Sequence, residues 1–164
     1  MDIIWEELTS GLGDTRQLIH VLIRLTAATL LGAVIGIQRE RAGKPAGLRT
    51  HMLVTLGTAV FVLACSGVGM GSDGLSRVIQ GLVTGIGFIG AGSILKISEQ
   101  RDVQGLTTAA GVWMTAAVGV AVGLGSLGVA LLSTIFTLII LSLAKRFERD
   151  DDDKRAAEAT PRNN

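Results

Sequence analysis

The chain has one cysteine, two histidines and no acidic residue inside any of its long apolar runs. A lone Cys65 excludes an intramolecular disulfide and any cysteine-rich metal site. His20 and His51 fall near opposite membrane faces and Cys65 has no basic neighbour. No nucleophile–base pair is visible, so nothing in the chain points to catalysis. The missing carboxylates exclude more. A hard cation such as Mg²⁺ is ordinarily held by carboxylates or retained waters in an oxygen cage, so a carrier of such cations is disfavoured and no metal or cofactor is expected. Charge is also scarce through the middle: between Leu53 and Leu95 the only ionisable side chains besides Cys65 are Asp73 and Arg77.

What is present is apolar. Of the 164 residues, 48% are hydrophobic and 22 are glycine, and the mean hydropathy is +0.51. That is too apolar for an ordinary soluble domain of this size, and the solvent implied is a lipid bilayer. Five candidate spans, Leu18–Ile37, Met52–Val68, Val78–Leu95, Leu106–Val122 and Ser126–Ala144, are each long enough for a hydrocarbon core of roughly 30 Å. The expected fold is therefore all-α, a polytopic membrane protein with five transmembrane helices. Basic residues gather at helix ends, which signals membrane orientation rather than nucleic-acid binding. Four lie in the first interhelical loop, Lys96 and Arg101 in the third, and Lys145, Arg146, Arg149, Lys154 and Arg155 just after the last span. The alternate loops hold only Arg16 and Arg77. The count places the N-terminus outside and the C-terminus in the cytoplasm. Residues 1–17 then form an acidic extracytoplasmic segment, in which Trp5 suits the lipid–water interface and no basic region suggests a cleaved leader. Residues 18–144 form the membrane domain. Residues 145–164, with six basic and six acidic side chains, form a charged cytoplasmic tail expected to be disordered.

The densest polar stretch before the tail, from Gln38 to His51, carries Arg39, Glu40, Arg41, Lys44 and Arg49 between two apolar runs. Gly43, Pro45 and Gly47 prevent one helix from running through it. Topology alone accounts for Arg39, Arg41 and Lys44, but Arg39 and Glu40 also stand with Arg49 and Thr50 as candidate contacts for an anion or a partner. Thr50 suits a helix cap, and with Arg49 at the same helix start the pair could hold an anion, a lipid headgroup or a carboxylate such as Asp102. Gly43-Lys44 does not complete a phosphate-binding loop, because Gln38 stands where the leading glycine belongs and Pro45 where Ser or Thr is needed.

Within the spans, Arg24 sits about 9 Å along the helix from Leu18. A charge at that depth costs about 2.5–3.5 kcal/mol unless it snorkels or finds a partner. One reading lets it snorkel beside His20. The other bonds it inside the bundle to Gln80 or Thr84. The third span is glycine-dense: Gly81 and Gly85 make a small-xxx-small pair, and Gly87, Gly90 and Gly92 follow, which suits close helix packing. Gly85-x-Gly87-x-x-Gly90 matches a dinucleotide pattern only by letter, since no strand precedes it. Trp113, eight residues into the fourth span, is expected to be buried rather than in the aromatic belt. The fifth span is expected to be lipid-facing.

Three ordered motifs are specific: Gly32-x-x-x-Gly36-x-x-Arg39 followed by Ala46-Gly47-Leu48-Arg49-Thr50; Arg77-x-x-x-Gly81-x-x-x-Gly85-Ile86-Gly87-Phe88-x-Gly90-Ala91-Gly92; and Gly105-Leu106-Thr107-Thr108-Ala109-Ala110-x-x-Trp113. Over roughly residues 18 to 144 the chain resembles the membrane domain of the MgtC/SapB family of bacterial inner-membrane proteins. The resemblance implies a five-helix domain linked to growth at low Mg²⁺ and to survival inside host cells, acting by regulating other membrane proteins rather than by carrying Mg²⁺. The chain departs from that pattern at Gln38 and Gln104, where members often have Glu and Arg. It also ends about twenty residues after its last span, where many virulence-linked members carry a soluble domain. The expected partners are the bilayer, other membrane proteins and a second copy of the chain. The alternative is a small transporter or channel with its path along the third span, lined by Arg24, Gln80 and Thr84.

Overall fold

The computed structural model describes Ile3, 14–67, 69–97 and 102–159, with side chains described as far as 143 apart from 67, 95–97, 102 and 103. From residue 14 on, the described helices are α1 (Thr15–Arg41), α2 (Leu48–Gly67), α3 (Ser72–Gly92), α4 (Leu106–Gly123) and α5 (Leu127–Ala159). The first four are long and apolar enough to cross a membrane; the apolar part of α5, Leu127–Leu143, is shorter. Trp5 and the rest of the acidic N-terminal segment before Asp14, Ile3 aside, lie outside the described residues, as do 160–164. Residues 145–159, expected without regular structure, continue α5. Opposite charges stand four apart in the segment, Asp150 with Lys154 and Asp151 with Arg155, a spacing that supports a helix despite the four aspartates.

Two strands that the hydropathy does not announce separate α3 from α4. Strands β1 (Leu95–Ile97) and β2 (Asp102–Gln104) pair antiparallel, with Leu95 opposite Gln104 and Ile97 opposite Asp102. The third span accordingly ends at Gly92 and not at Leu95. Gly90-Ala91-Gly92 is a weak helix end, and the Ser93 hydroxyl turns back to donate to the Gly90 carbonyl at 2.7 Å. At the far end of the hairpin Gly105 takes φ +97° and lies so close to the Ser93 carbonyl that no side chain fits.

The bundle is organised around α4, which packs against each of the other four helices. Its inward residues are small or β-branched: Gly111, Val112, Thr115, Ala116, Val118, Gly119, Val122 and Gly123 are buried. Val118 and Val122 meet Ala28 and Ile35 of α1, Ala59 of α2, and Ala130 and Leu141 of α5, while Val112 and Ala116 cluster with Ala46 and with Ile86 of α3. Lipid is as apolar as leucine, so association rests on close van der Waals approach rather than on expulsion of water. Glycines allow that approach. A Cβ on Gly36 would lie 2.6 Å from the Leu48 Cα, and one on Gly123 would lie 2.7 Å from the Val62 Cβ. Gly32 and Gly119 are equally tight against the backbone of α2 around His51 and Thr55. The buried hydroxyls of Thr55, Thr115 and Thr134 donate to carbonyls one turn back in their own helices, so none needs an external partner. Large side chains face outward instead: Phe88 is 84% exposed, and Leu131, Leu132, Ile135, Phe136, Ile139 and Ile140 of α5 are exposed too, an outer surface suited to lipid.

Candidate functional site

The basic loop is more built than its composition suggests. At the end of α1, Lys44 N–H donates to the Arg39 carbonyl and Gly43 N–H to the Glu40 carbonyl, with Gly43 at φ +67°. This double closure ends the helix and reverses the chain. Glu40 then reaches across the loop: its Oε2 accepts from the Leu48 backbone N–H at 2.9 Å. A carboxylate there satisfies one of the first-turn N–H groups and complements the positive end of the α2 dipole. Gly47 is the space the carboxylate needs, since a Cβ would stand 2.8 Å from Oε2. The capping role expected of Thr50 therefore belongs to Glu40; α2 starts two residues before Thr50, which sits inside its first turn.

Arg39, expected in the loop as an anion or partner contact, is instead buried at 2% exposure on the packing stripe Ala28–Gly32–Ile35–Gly36–Arg39 of α1. Its Nη2 donates to the Thr108 hydroxyl at 2.9 Å, which ties the end of α1 to the start of α4. His51 is fully buried nearby, with Nδ1 2.9 Å from the Gly47 carbonyl. If Nδ1 carries the hydrogen, Nε2 offers a lone pair, and that atom is buried without a hydrogen-bond partner beside Gly111. Composition gives no sign of this centre; the spacing from Gly47 through His51 to Thr55, one helical turn at each step, is the signal that was there. Arg49 and Thr107 are exposed at the same end. The Asp102 side chain lies outside the described residues.

Arg24 has a partner, but not the expected one. Its Nη1 donates to the Gly123 carbonyl at 2.9 Å. The guanidinium lies against Gly125, whose φ of +80° closes the turn from α4 into α5. Gln80 and Thr84 are exposed on α3, and the Thr84 hydroxyl donates to the Gln80 carbonyl. The three polar groups of the alternative reading thus do not converge on one path.

The glycines of α3 also differ from expectation. Among the described residues, Gly90 alone of the five meets a neighbour, Ala109 at 3.6 Å; around Gly81, Gly85, Gly87 and Gly92 none lies within 4 Å of an added Cβ. The close-packing pairs of this bundle are Gly32 with Gly36 and Gly119 with Gly123, which carry the same four-residue spacing in the sequence. Only Ile86 and Gly90 of α3 are buried. Between α3 and α2 runs an open apolar groove of about 710 Å³, floored by Gly57, Gly81 and Gly85 and walled by Leu53, Phe61, Val78 and Ile89. Trp113, expected to be buried, is 48% exposed and borders a smaller crevice of about 140 Å³ between α3 and α4. Its neighbours on α4, Val112 and Ala116, take the inward positions.

Residues 25–150 match the family model described as the MgtC family. The chain is 47% identical to SrpB of Synechococcus elongatus, over 77% of this chain and 75% of that protein. It is 45% identical to MgtC of Salmonella typhimurium, over 71% of this chain and 49% of the relative. It is 39% identical to YhiD of Escherichia coli K12, named as a candidate magnesium transporter, over 74% of this chain and 59% of the relative. The chain thus spans between about half and three quarters of the length of these relatives. No solved structure matches it.

Proposed function

This chain belongs to the MgtC family of membrane proteins, and we propose that it is a non-enzymatic regulator of the bacterial inner membrane that works by contact with other membrane proteins. The observation that carries the reading is the open groove between α2 and α3, where no described residue lies within 4 Å of a Cβ added to Gly57, Gly81 or Gly85. Glycine in a lipid-facing helix gives up side-chain packing and helix propensity; a visiting helix that approaches the backbone closely restores the packing. The occupant is a transmembrane helix of another membrane protein or of a second copy of this chain. The N-terminus lies outside and the basic loop in the cytoplasm, so Arg49, exposed at the start of α2, meets the cytoplasmic part of the same partner. The resemblance ties such contacts to adaptation at low magnesium and, in some bacteria, to survival inside host cells.

Photo-cross-linking in native membranes from groove positions Phe61 and Val78 tests this. A helix-bearing membrane protein or a second copy is expected to be trapped, and less of it from an Arg49→Ala chain. Lipid adducts alone from both positions would refute the proposal.

A further inference from the structure

At the end of the bundle opposite the basic loop, α1 carries Arg16, His20 and Arg24 at four-residue spacing, hence along one face. They border a cavity of about 470 Å³ whose wall also includes Asp14 and, from α2, Ser66. The lining holds two arginines against one carboxylate, with the imidazole between the arginines.

The cavity lies between the start of α1 and the end of α2, and α4 ends beside Arg24; the backbone groups of these ends bear on which sign of ligand the cavity favours. The C-terminal carbonyls of α2 and α4 would favour a cation, but both ends are closed. Met70 N–H donates to the Cys65 carbonyl and Gly69 N–H to the Ser66 carbonyl. Ser126 N–H donates to the Ala121 carbonyl, Gly125 N–H to the Val122 carbonyl, and Gly123 accepts from Arg24. Among the described residues, the N-terminus of α1 is the open one. Asp14 stands at its cap position yet makes no side-chain cap bond, so the first-turn N–H groups are not covered by that carboxylate. Exposed donors on Arg16 and His20, first-turn N–H groups that the Asp14 carboxylate does not cover, and a net positive lining among the described residues point the same way.

Depth sets the ligand. From Arg24 to Arg41, the end of α1, the helix rises about 25 Å, and from Arg24 to Arg16 about 12 Å more in the other direction. With Arg41 at one boundary of a hydrocarbon core of roughly 30 Å, Arg24 lies just inside the other boundary and Arg16 beyond it. The cavity straddles the level of lipid headgroups. We propose that it binds a phosphate group, supplied by a phospholipid headgroup or as free phosphate, with Arg16 and His20 holding it from the outer side and Arg24 from below.

Full-length protein in detergent, titrated with inorganic phosphate against chloride at matched ionic strength, tests the free anion. Native mass spectrometry of protein extracted from phosphatidylglycerol vesicles, against vesicles of a glycolipid without phosphate, tests the headgroup. The Arg16→Gln/His20→Gln double variant is the probe, because both side chains are exposed and outside the packed core; circular dichroism checks that it folds. Arg41→Gln, exposed at the opposite end, controls for loss of charge alone. At least ten-fold weaker phosphate binding or lipid retention is expected in the double variant and none of that loss in Arg41→Gln. A response to inorganic phosphate alone identifies the free anion; a response in the lipid arm alone identifies the headgroup. Equal binding by wild type and double variant in both arms, or equal retention of the phosphate-free lipid, would overturn the proposal.

Discussion

Gly119→Ala and Gly81→Ala add the same methyl group to helices of the same bundle and should move stability in opposite directions. At Gly119 the new Cβ meets the Thr58 hydroxyl and, 3.0 Å away, the Thr55 Cα. A backbone atom cannot rotate aside as a side-chain tip can, so α2 and α4 must part. Overpacking of that kind costs about 1–3 kcal/mol. At Gly81 no described residue lies within 4 Å of the new Cβ. The methyl group there only removes the entropic penalty of a mid-helix glycine, a gain of roughly 0.5–1 kcal/mol. The two variants should therefore differ by about 1.5–4 kcal/mol, summing the two effects. Equilibrium unfolding in mixed detergent micelles, followed by circular dichroism, measures this. The functional readout should invert the order. Gly81→Leu is expected to keep the fold and to lose cross-links from the groove, because the bulk stands where a partner's backbone approaches. If Gly81→Ala destabilises as much as Gly119→Ala, α3 is packed in a way that the open groove contradicts. If Gly81→Leu keeps every cross-link, the glycine face serves lipid alone.

Other substitutions separate the remaining contacts. Arg39→Ala should destabilise by about 1.5–3 kcal/mol, the range for a hydrogen bond to a charged group, by orphaning Thr108, whereas Arg49→Ala should stay within about 0.5 kcal/mol of wild type as an exposed site; the same micelle unfolding reads both. Arg49→Ala should nonetheless impair function in cells more than Lys44→Ala, and equal effects would reduce the loop to a topology signal. Glu40→Ala should cost about 0.5–2 kcal/mol through loss of the helix cap, with faster hydrogen exchange at the Leu48 amide. Arg24→Ala and Gly125→Ala should couple by more than 0.5 kcal/mol in a double-mutant cycle, since the guanidinium rests on that glycine; simple additivity would disprove the contact.

Most of the architecture was legible in the residues. Hydropathy located the five helices of the described residues because lipid requires about twenty apolar residues per crossing, and Gly43 marked a helix end through its freedom at positive φ. The hairpin at 95–104 was not legible, because strands of three residues leave no period to detect. Glycine spacing identified pairs able to pack but not which pairs do, since Gly32/Gly36 and Gly81/Gly85 are alike in one dimension. The partners of Arg24 and Arg39 were hidden for a related reason: each lies across the bundle, on an α4 that carries no charge to advertise the contact.

Those two arginines give the chain a timing problem during synthesis. Arg39 and Thr108 are 69 residues apart, and Arg24 and Gly123 are 99 apart. At the usual 5–20 residues per second, Arg24 waits on the order of 5–20 s, and Arg39 somewhat less, before its acceptor has been made. During that interval α1 has entered the membrane with neither latch closed, and α2 faces an empty place where α4 will stand. The fourth helix thus acts as a late keystone: α1 and α2 can already pack on each other through Gly32 and Gly36, but the bundle becomes one body only when α4 arrives.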